Sequence, residues 1–291
     1  MNWFKKNRVT ILLVLAMLAG AAIIAYPTFA DWWNSLHQSR AVASYIQTVE
    51  KIDTAEYDRL LREAEAYNRK LAESGIITRL MEEQKEEYDR QLKVEGTDIM
   101  GYIDIDRVKI HLPIYHGTDD AVLQVAIGHI EGTSLPIGGE STHCVVSGHR
   151  GLPSARLFTD IDRLVEGDIF TLTVLNHVAT YEVDQILTVL PTEVESLEIT
   201  PGEDYCTLVT CTPYGVNTHR LLVRGHRIPN IEKHVQQSTQ TPVIMEDDRF
   251  AWLPDWVRET PIFILAPAGT AALLVLIFLI RLLGRIFGKK K

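Results

Sequence analysis

Residues 207–227 read TLVTCTPYGVNTHRLLVRGHR: two runs rich in Val, Leu and Thr, with Pro213 and Gly215 between them. Branched side chains suit a pleated strand, and Pro and Gly supply the backbone angles that a chain reversal needs. The segment predicts two strands and a turn, with Cys211 ending the first run and Arg220, nine residues on, opening the second. Five more β-rich runs precede it, at 99–105, 108–115, 143–148, 169–174 and 179–190, punctuated by Pro113, Gly117, Pro136, Gly151, Pro153, Gly167 and Pro191. Many short strands at this spacing predict a mainly β domain, a sandwich or a barrel. One helix is expected inside it, over 154–164 (SARLFTDIDRL), with Ser154 as its cap.

Outside 96–228 the texture changes. Residues 31–93 contain no proline and one glycine, Gly75, and are rich in Glu, Ala, Leu, Arg, Tyr and Gln, a composition that favours helix. Two or more amphipathic helices, broken near Gly75, are expected; composition alone reads them as a stalk. Two runs carry no charge, 9–26 (VTILLVLAMLAGAAIIAY) and 261–280 (PIFILAPAGTAALLVLIFLI). A bilayer core about 30 Å thick takes roughly 20 apolar helical residues, so both are expected to span a membrane. The first run also begins like a secretory signal, with 28–30 (TFA) as a cleavage candidate, but its length favours a retained anchor. The expected organisation is an anchor over 1–30, a helical segment over 31–95, the β domain over 96–228, a polar linker over 229–260, a second membrane helix over 261–283 and a basic tail over 284–291.

Charge predicts the sidedness. The chain has 38 acidic and 29 basic residues, and every acid lies between Asp31 and Glu259. The tips hold only bases: Lys5, Lys6, Arg8, Arg281, Arg285, Lys289, Lys290 and Lys291. Basic flanks stay in the cytoplasm, so both termini are expected inside the cell membrane and the acidic middle outside. Such a middle is a poor match for nucleic acid, and no nucleic-acid partner is expected. Three cysteines are an odd number, which outside the cell implies a free thiol or an intermolecular bridge. Cys144 and Cys206 lie within β runs among apolar neighbours and are expected to be small buried hydrophobes. There is no Cys-x-x-Cys and no metal-ligand spacing, so no metal or cofactor is expected.

Two segments carry chemistry. One is 144–151 (CVVSGHRG), a β run ending on His149; the other is 207–215 (TLVTCTPYG), ending on Cys211 with a turn behind it. A strand end can hold a reactive group rigidly while leaving it within reach of a substrate. A thiolate attacks an acyl carbon, and a proton donor must then release the amine. Ordinary pKa values of about 8.5 for a thiol and about 6.5 for an imidazole leave roughly 1% or less as the thiolate–imidazolium pair at neutral pH. Arg220 keeps its charge and donates several hydrogen bonds. It could lower the thiol pKa, bind substrate main chain or steady an oxyanion. His116, His129, His143, His219 and His226 are rivals to His149.

Taken together, TLVTCTPYG, the following HR and the upstream SGHRG resemble the sortases, and among them the class C, pilin-polymerising branch. IMGYIDI, LPIYHGT, GHIEGTSLP, GLPSARLFTDIDRL and NTHRLLVRGHR are similar to the same branch, so the likeness covers 96–228, and the two-anchor layout agrees. The resemblance implies an eight-stranded β-barrel with Cys211 as nucleophile, His149 as its acid–base partner and Arg220 as the third member. It implies a transpeptidase that cleaves a Leu-Pro-x-Thr-Gly-like sorting signal near the C-terminus of a pilin or surface protein, through a thioacyl intermediate that a pilin lysine amine resolves. The alternatives are a sortase that anchors proteins to cell-wall peptide, a cysteine protease with water as acceptor, and a non-enzymatic receptor ectodomain held by two anchors. One departure stands out. Class C enzymes usually carry an Asp-Pro-aromatic lid anchor before the barrel, but this chain has no proline between Pro27 and Pro113. Residues 75–95 (GIITRLMEEQKEEYDRQLKVE) occupy the place of the lid, and Ile76, Ile77 and Met81 are the candidates for another plug.

Overall fold

The computed structural model of the protein describes residues 7–74 and 81–230. The β-rich runs become β1 (Ile99–Ile105), β2 (Ile110–His116), β3 (Ile127–His129), β4 (Thr142–Ser147), β5 (Ile169–Val174), β6 (His177–Val189), β7 (Asp204–Thr212) and β8 (His219–Ile228). They close into one barrel in the order β1-β2-β3-β4-β7-β8-β6-β5. Closure pairs both edges of every strand, so no backbone edge is left to water. The pairs β2–β3 and β4–β7 are parallel and the rest antiparallel. The interior is filled by alternate residues, among them Ile103, Ile114, Val146, Phe170, Leu172, Leu208 and Val223, none more than 1% exposed.

Seven of the eight strands lie where the sequence predicts β structure. The eighth, β3, is three residues long, too short to show a period of two in the sequence. The expected helix over 154–164 is a correction: only Ile161–Arg163 is helical, as one 3-10 turn. Its apolar residues are buried as the helical pattern required, with Ala155, Leu157, Phe158, Ile161 and Leu164 all in the core. The backbone differs because the Phe158 N–H donates to the His149 carbonyl, 3.1 Å away, instead of to a carbonyl one turn back. Leu157 has φ 40°, which no helix accommodates.

Helix α1 (Arg8–Val49) runs through the expected boundary at residue 30 and contains Pro27. The chain divides into two units, and the described part of the first ends at His37. There α1 is long and apolar enough to cross a membrane, and Leu12, Leu13, Leu15, Met17, Leu18, Ile23 and Ile24 each expose more than half of their surface. Phe29, Trp32 and Trp33 follow as an aromatic cluster, with ring centroids 5.6–6.4 Å apart. Aromatic residues of this kind collect at membrane–water interfaces. The second apolar run at 261–280, most of the 229–260 linker and the basic tail lie outside the described residues.

In the second unit, from Gln38 onward, the helical segment packs on the barrel and is not a free stalk. The end of α1 buries Val42, Tyr45, Ile46 and Val49, and the Tyr45 hydroxyl donates to the Met100 carbonyl while accepting from Leu175 N–H, both at 2.9 Å. Helix α2 (Thr54–Ser74) begins where the Asp53 carboxylate accepts the Glu56 N–H, at 2.8 Å, as a cap. Its described part reaches Ser74, so the break expected near Gly75 falls outside the described residues, and it buries Leu60, Ala64, Tyr67 and Leu71 as one helical stripe. Between these, Asn68 is buried and grips the Leu135 peptide with both ends of its amide, accepting from N–H at 2.7 Å and donating to C=O at 3.3 Å.

Helix α3 (Glu82–Asp89), within the segment expected at the place of the lid, is pinned by Tyr88, which is fully buried. The Tyr88 hydroxyl lies 2.9 Å from His129 Nδ1 and 3.2 Å from the His129 carbonyl, and accepts the Gly117 N–H at 3.0 Å. Burial raises its pKa, which keeps the hydroxyl neutral. Tyr88→Phe removes the partner of the buried Gly117 N–H and of the His129 ring. The expected loss is about 1–3 kcal/mol of folding stability, read as a lower denaturation midpoint with an unchanged slope. A loss under about 0.5 kcal/mol, the usual range of a surface substitution, would show that Tyr88 is no such pin.

Candidate active site

Because β4 and β7 run parallel with Ser147 opposite Val209, both strands leave the barrel at the same end. The next residue, Gly148, is tied to β7 on both sides of its peptide: its N–H donates to the Val209 carbonyl at 3.1 Å, and its carbonyl accepts from Thr210 Oγ1 at 2.7 Å. A Cβ at Gly148 would come within 2.9 Å of the Ile127 and Phe158 side chains, so glycine is what permits this close approach. His149 follows directly, with its carbonyl held by Phe158 N–H. On the other side of β7, Cys211 lies opposite Arg220 of β8, and Arg220 lies opposite Val189 of β6. The end of the barrel therefore carries His149, Cys211 and Arg220 on three adjacent elements, with the cysteine in the middle.

Residues two apart on a strand share a face. Cys144, Cys206, Leu208, Leu221 and Val223 face the main core, whereas Val145, Val209 and Leu222 form a separate cluster with Ile130, Leu187, Val189 and Leu197. Cys211 shares its parity with Val209, and Arg220 shares its parity with Leu222. The thiol and the guanidinium thus stand on the outer face, at the end of an apolar strip. The β6–β7 connection folds over part of this face, bringing Leu197 to the strip and the Glu198 carbonyl to His143 Nδ1 at 2.9 Å. The Arg220 guanidinium is turned to the β7–β8 turn, where Nη1 donates to the carbonyls of His219 (3.1 Å) and Asn217 (3.3 Å). In that turn the Thr212–Pro213 peptide is cis, and the Pro213 carbonyl accepts from the N–H groups of Val216 and Asn217.

Three of the rival histidines, His129, His143 and His116, have other employment. His129 is fully buried between Tyr88 and the Ser134 carbonyl, and His143 bridges Glu198 and Thr207 Oγ1 (2.7 Å). Burial lowers the pKa of His143 and of His116, which favours their neutral forms; His116 Nε2 bonds the Gln91 carbonyl. His226 lies opposite Tyr205, at the far end of β8 from Arg220. His219, opposite Thr212, is the one rival at the same end as Cys211. All three cysteines are free: Cys144 and Cys206 are buried directly opposite each other, and Cys211 is half-buried. Burial pushes the Cys206 thiol pKa up, so it stays a neutral packing group. Among the described residues no group of three or more His, Cys, Asp or Glu could hold a metal ion.

Comparison with known proteins shows the family and the fold. A family model described as "Sortase domain" matches residues 103–228. The crystal structure of sortase C1 from Streptococcus agalactiae is 52% identical, with TM-score 0.65, over 66% of this chain and 100% of that one. The chain belongs to the sortase family. Sortase C of Streptococcus pneumoniae is 44% identical, with TM-score 0.60, over 66% of this chain and 97% of that one. A curated relative, sortase A of Streptococcus agalactiae, is 31% identical over 159 residues, which span 54% of this chain and 62% of the relative.

The apolar lining of this candidate site escapes a linear reading. The outer strip of Val145, Val209, Leu222, Leu187, Val189 and Leu197 becomes visible only once strand parity is known. Of the suggested plugs, Met81 is 68% exposed, and Ile76 and Ile77 lie outside the described residues. Exposure and parity together predict the thiol chemistry. Iodoacetamide on the folded protein should modify one cysteine, Cys211, read by peptide mass spectrometry, with Cys144 and Cys206 reacting only after denaturation. Labelling of Cys144 or Cys206 at a comparable rate in the folded state would contradict the assignment of the two faces.

Proposed function

We propose that the protein is a class C sortase, a cysteine transpeptidase that joins pilin subunits, with Cys211, His149 and Arg220 as its catalytic residues. The observation that carries this reading is the register that sets Cys211 opposite Arg220 and one strand away from His149, at the end of an outer apolar strip. The Cys211 thiolate attacks the carbonyl carbon of the scissile peptide in a Leu-Pro-x-Thr-Gly-like signal. The C–N bond breaks, and the His149 imidazolium gives its proton to the leaving amine. The acyl group, now a thioester, is attacked by a lysine amine of the next pilin; the C–S bond breaks and the amine proton returns to the Cys211–His149 pair. Arg220 donates to substrate carbonyls or to the tetrahedral oxyanion as charge builds there, once its bonds to Asn217 and His219 exchange for substrate. The apolar strip suits the leucine and proline of such a signal.

The 52% identity to sortase C1, and the pneumococcal sortase C described with its pilin substrate specificity, favour the pilin reading. A second reading, anchoring of surface proteins to cell-wall peptide, is favoured by the 31% identity to a sortase A. The two differ only in the amine that resolves the thioester. Mixing the protein with a pilin and with a cell-wall peptide amine separates them: a covalent ladder is the expected outcome, and a single peptide adduct without a ladder would support anchoring. Cys211→Ala should abolish both products; transfer activity retained in that variant would end the mechanism.

The acidic middle between basic tips supports a catalytic domain outside the cell membrane with both termini in the cytoplasm. Protease shaving of intact cells should remove the 96–228 region, and reporters fused to either terminus should remain on the cytoplasmic side. A protected barrel would refute this topology.

A further inference from the structure

Arg150 follows His149 directly, yet its side chain is only 11% exposed. Its Nη2 is ion-paired with Asp162, and its Nη1 donates to Thr212 Oγ1 at 3.3 Å. Its guanidinium carbon lies 5.9 Å from the centroid of the Tyr214 ring. These partners belong to two different segments. Asp162 is on the 3-10 turn that closes the loop after His149, whereas Thr212 and Tyr214 are the first and third residues after Cys211. The same two segments meet again where Gly151 packs under Tyr214: a Cβ there would lie 3.1 Å from the ring.

An exposed arginine–carboxylate pair contributes little, because water solvates both ions. This one differs on the arginine side: the Arg150 side chain is 11% exposed although Asp162 is 39% exposed, and its fork holds one ionic and one hydroxyl partner. A lysine has a single ammonium and cannot hold both partners in that geometry. Arg150 is thus one rigid link between the residue after the imidazole and the residue after the thiol. We propose that Arg150 is a positioning residue, which fastens the loop carrying His149 to the strand end carrying Cys211 and so sets the separation of imidazole and thiol. The proposal rests on the reading of His149 and Cys211 as acid–base partner and nucleophile. Small displacements of such a pair are costly, since a shift of about 1 Å can reduce a rate on the order of a hundredfold.

The test uses the full-length chain in detergent, as wild type, Arg150→Ala, Arg150→Lys, Thr212→Val, the Arg150→Ala/Thr212→Val double variant and Cys211→Ala. Each is checked for a folded thermal transition, then assayed for cleavage of a Leu-Pro-x-Thr-Gly peptide and for the iodoacetamide rate constant at Cys211. Arg150→Ala should lower kcat about tenfold or more while KM moves less than about threefold, because substrate binding is left intact and the reacting pair is not. Its alkylation rate should fall as well, because an imidazole out of place no longer favours the thiolate. Arg150→Lys should recover only part of the loss. Thr212→Val should show a smaller kcat loss, and the double variant should be no slower than Arg150→Ala, because both remove the same link. A folded Arg150→Ala variant with wild-type kcat and alkylation rate would overturn the proposal, as would additive losses in the double variant. Activity retained in Cys211→Ala would instead overturn the transpeptidase reading, and the alkylation rates would still show whether Arg150 governs the thiol.

Discussion

The parallel pairing of β4 with β7 is the constraint on which the site depends. With Ser147 opposite Val209, the residues that follow each strand emerge together. Were the pair antiparallel, the end of β4 would lie at the opposite end of the barrel from Cys211, on the order of 20 Å away for a six-residue strand at about 3.3 Å per residue. A parallel pair cannot be joined by a tight turn; it needs a long crossover. Here the crossover contains the Arg150–Asp162 loop, β5, β6 and the connection that covers the outer face. The constraint that brings histidine to cysteine is thus also the reason that two of the eight strands, β5 and β6, lie between the two strand ends in the chain.

Parity along β7 then decides which thiol is available. Cys206 and Cys211 are five residues apart on one strand, so they point to opposite faces. Cys206 faces inward onto Cys144, where burial holds it neutral and inert. Cys211 faces outward at the strand end, opposite Arg220 of β8 and on the same side as Val209 and Leu222. Moving a cysteine by one position on this strand would exchange a packing residue for a reactive one, or the reverse. With the candidate residues on the outer face, the interior is filled by Leu208, Val223 and Phe170, a close-packed floor beneath them.

How far the sequence could be read follows from the range of the forces involved. Strands such as Ile99–Ile105 and Ile169–Val174 were legible because branched side chains and flanking turns act locally. The three residues of β3 form a strand only because β2 and β4 offer edges to them, which no local pattern records. Residues 154–164 carry a sound helical burial pattern, and the burial is real, but the His149 carbonyl claims the Phe158 N–H and a tertiary bond overrides propensity. Among the candidate site residues, Cys211, His149 and Arg220 stood out through their likeness to the sortases, since six histidines at or near strand runs are equivalent by spacing. The geometry separates them by use: His129 and His143 spend both ring nitrogens on buried partners. Arg150 carried no linear signal, because its partners Asp162, Thr212 and Tyr214 converge only in the folded chain.

The helices before the barrel show where the fold invests its buried polar groups. Tyr45 and Asn68 each sit in an otherwise apolar helical stripe, Tyr88 is the one buried residue of α3, and each bonds backbone of the barrel domain: Met100 and Leu175, Leu135, and His129 with Gly117. An apolar stripe alone can slide or rotate by a residue at little cost, whereas a misplaced buried hydroxyl or amide forfeits its partners at about 1–3 kcal/mol. Three such groups, one on each helix, therefore specify the position of each helix on the barrel. Their partners lie in β1, in the β5–β6 turn, in β3 and in the loops after β2 and β3, and none lies in β7 or β8. The layer that fixes the helices is thus anchored apart from the strands that carry Cys211 and Arg220. The β6–β7 and β7–β8 connections therefore lie outside the set of buried bonds that fixes the helices on the barrel.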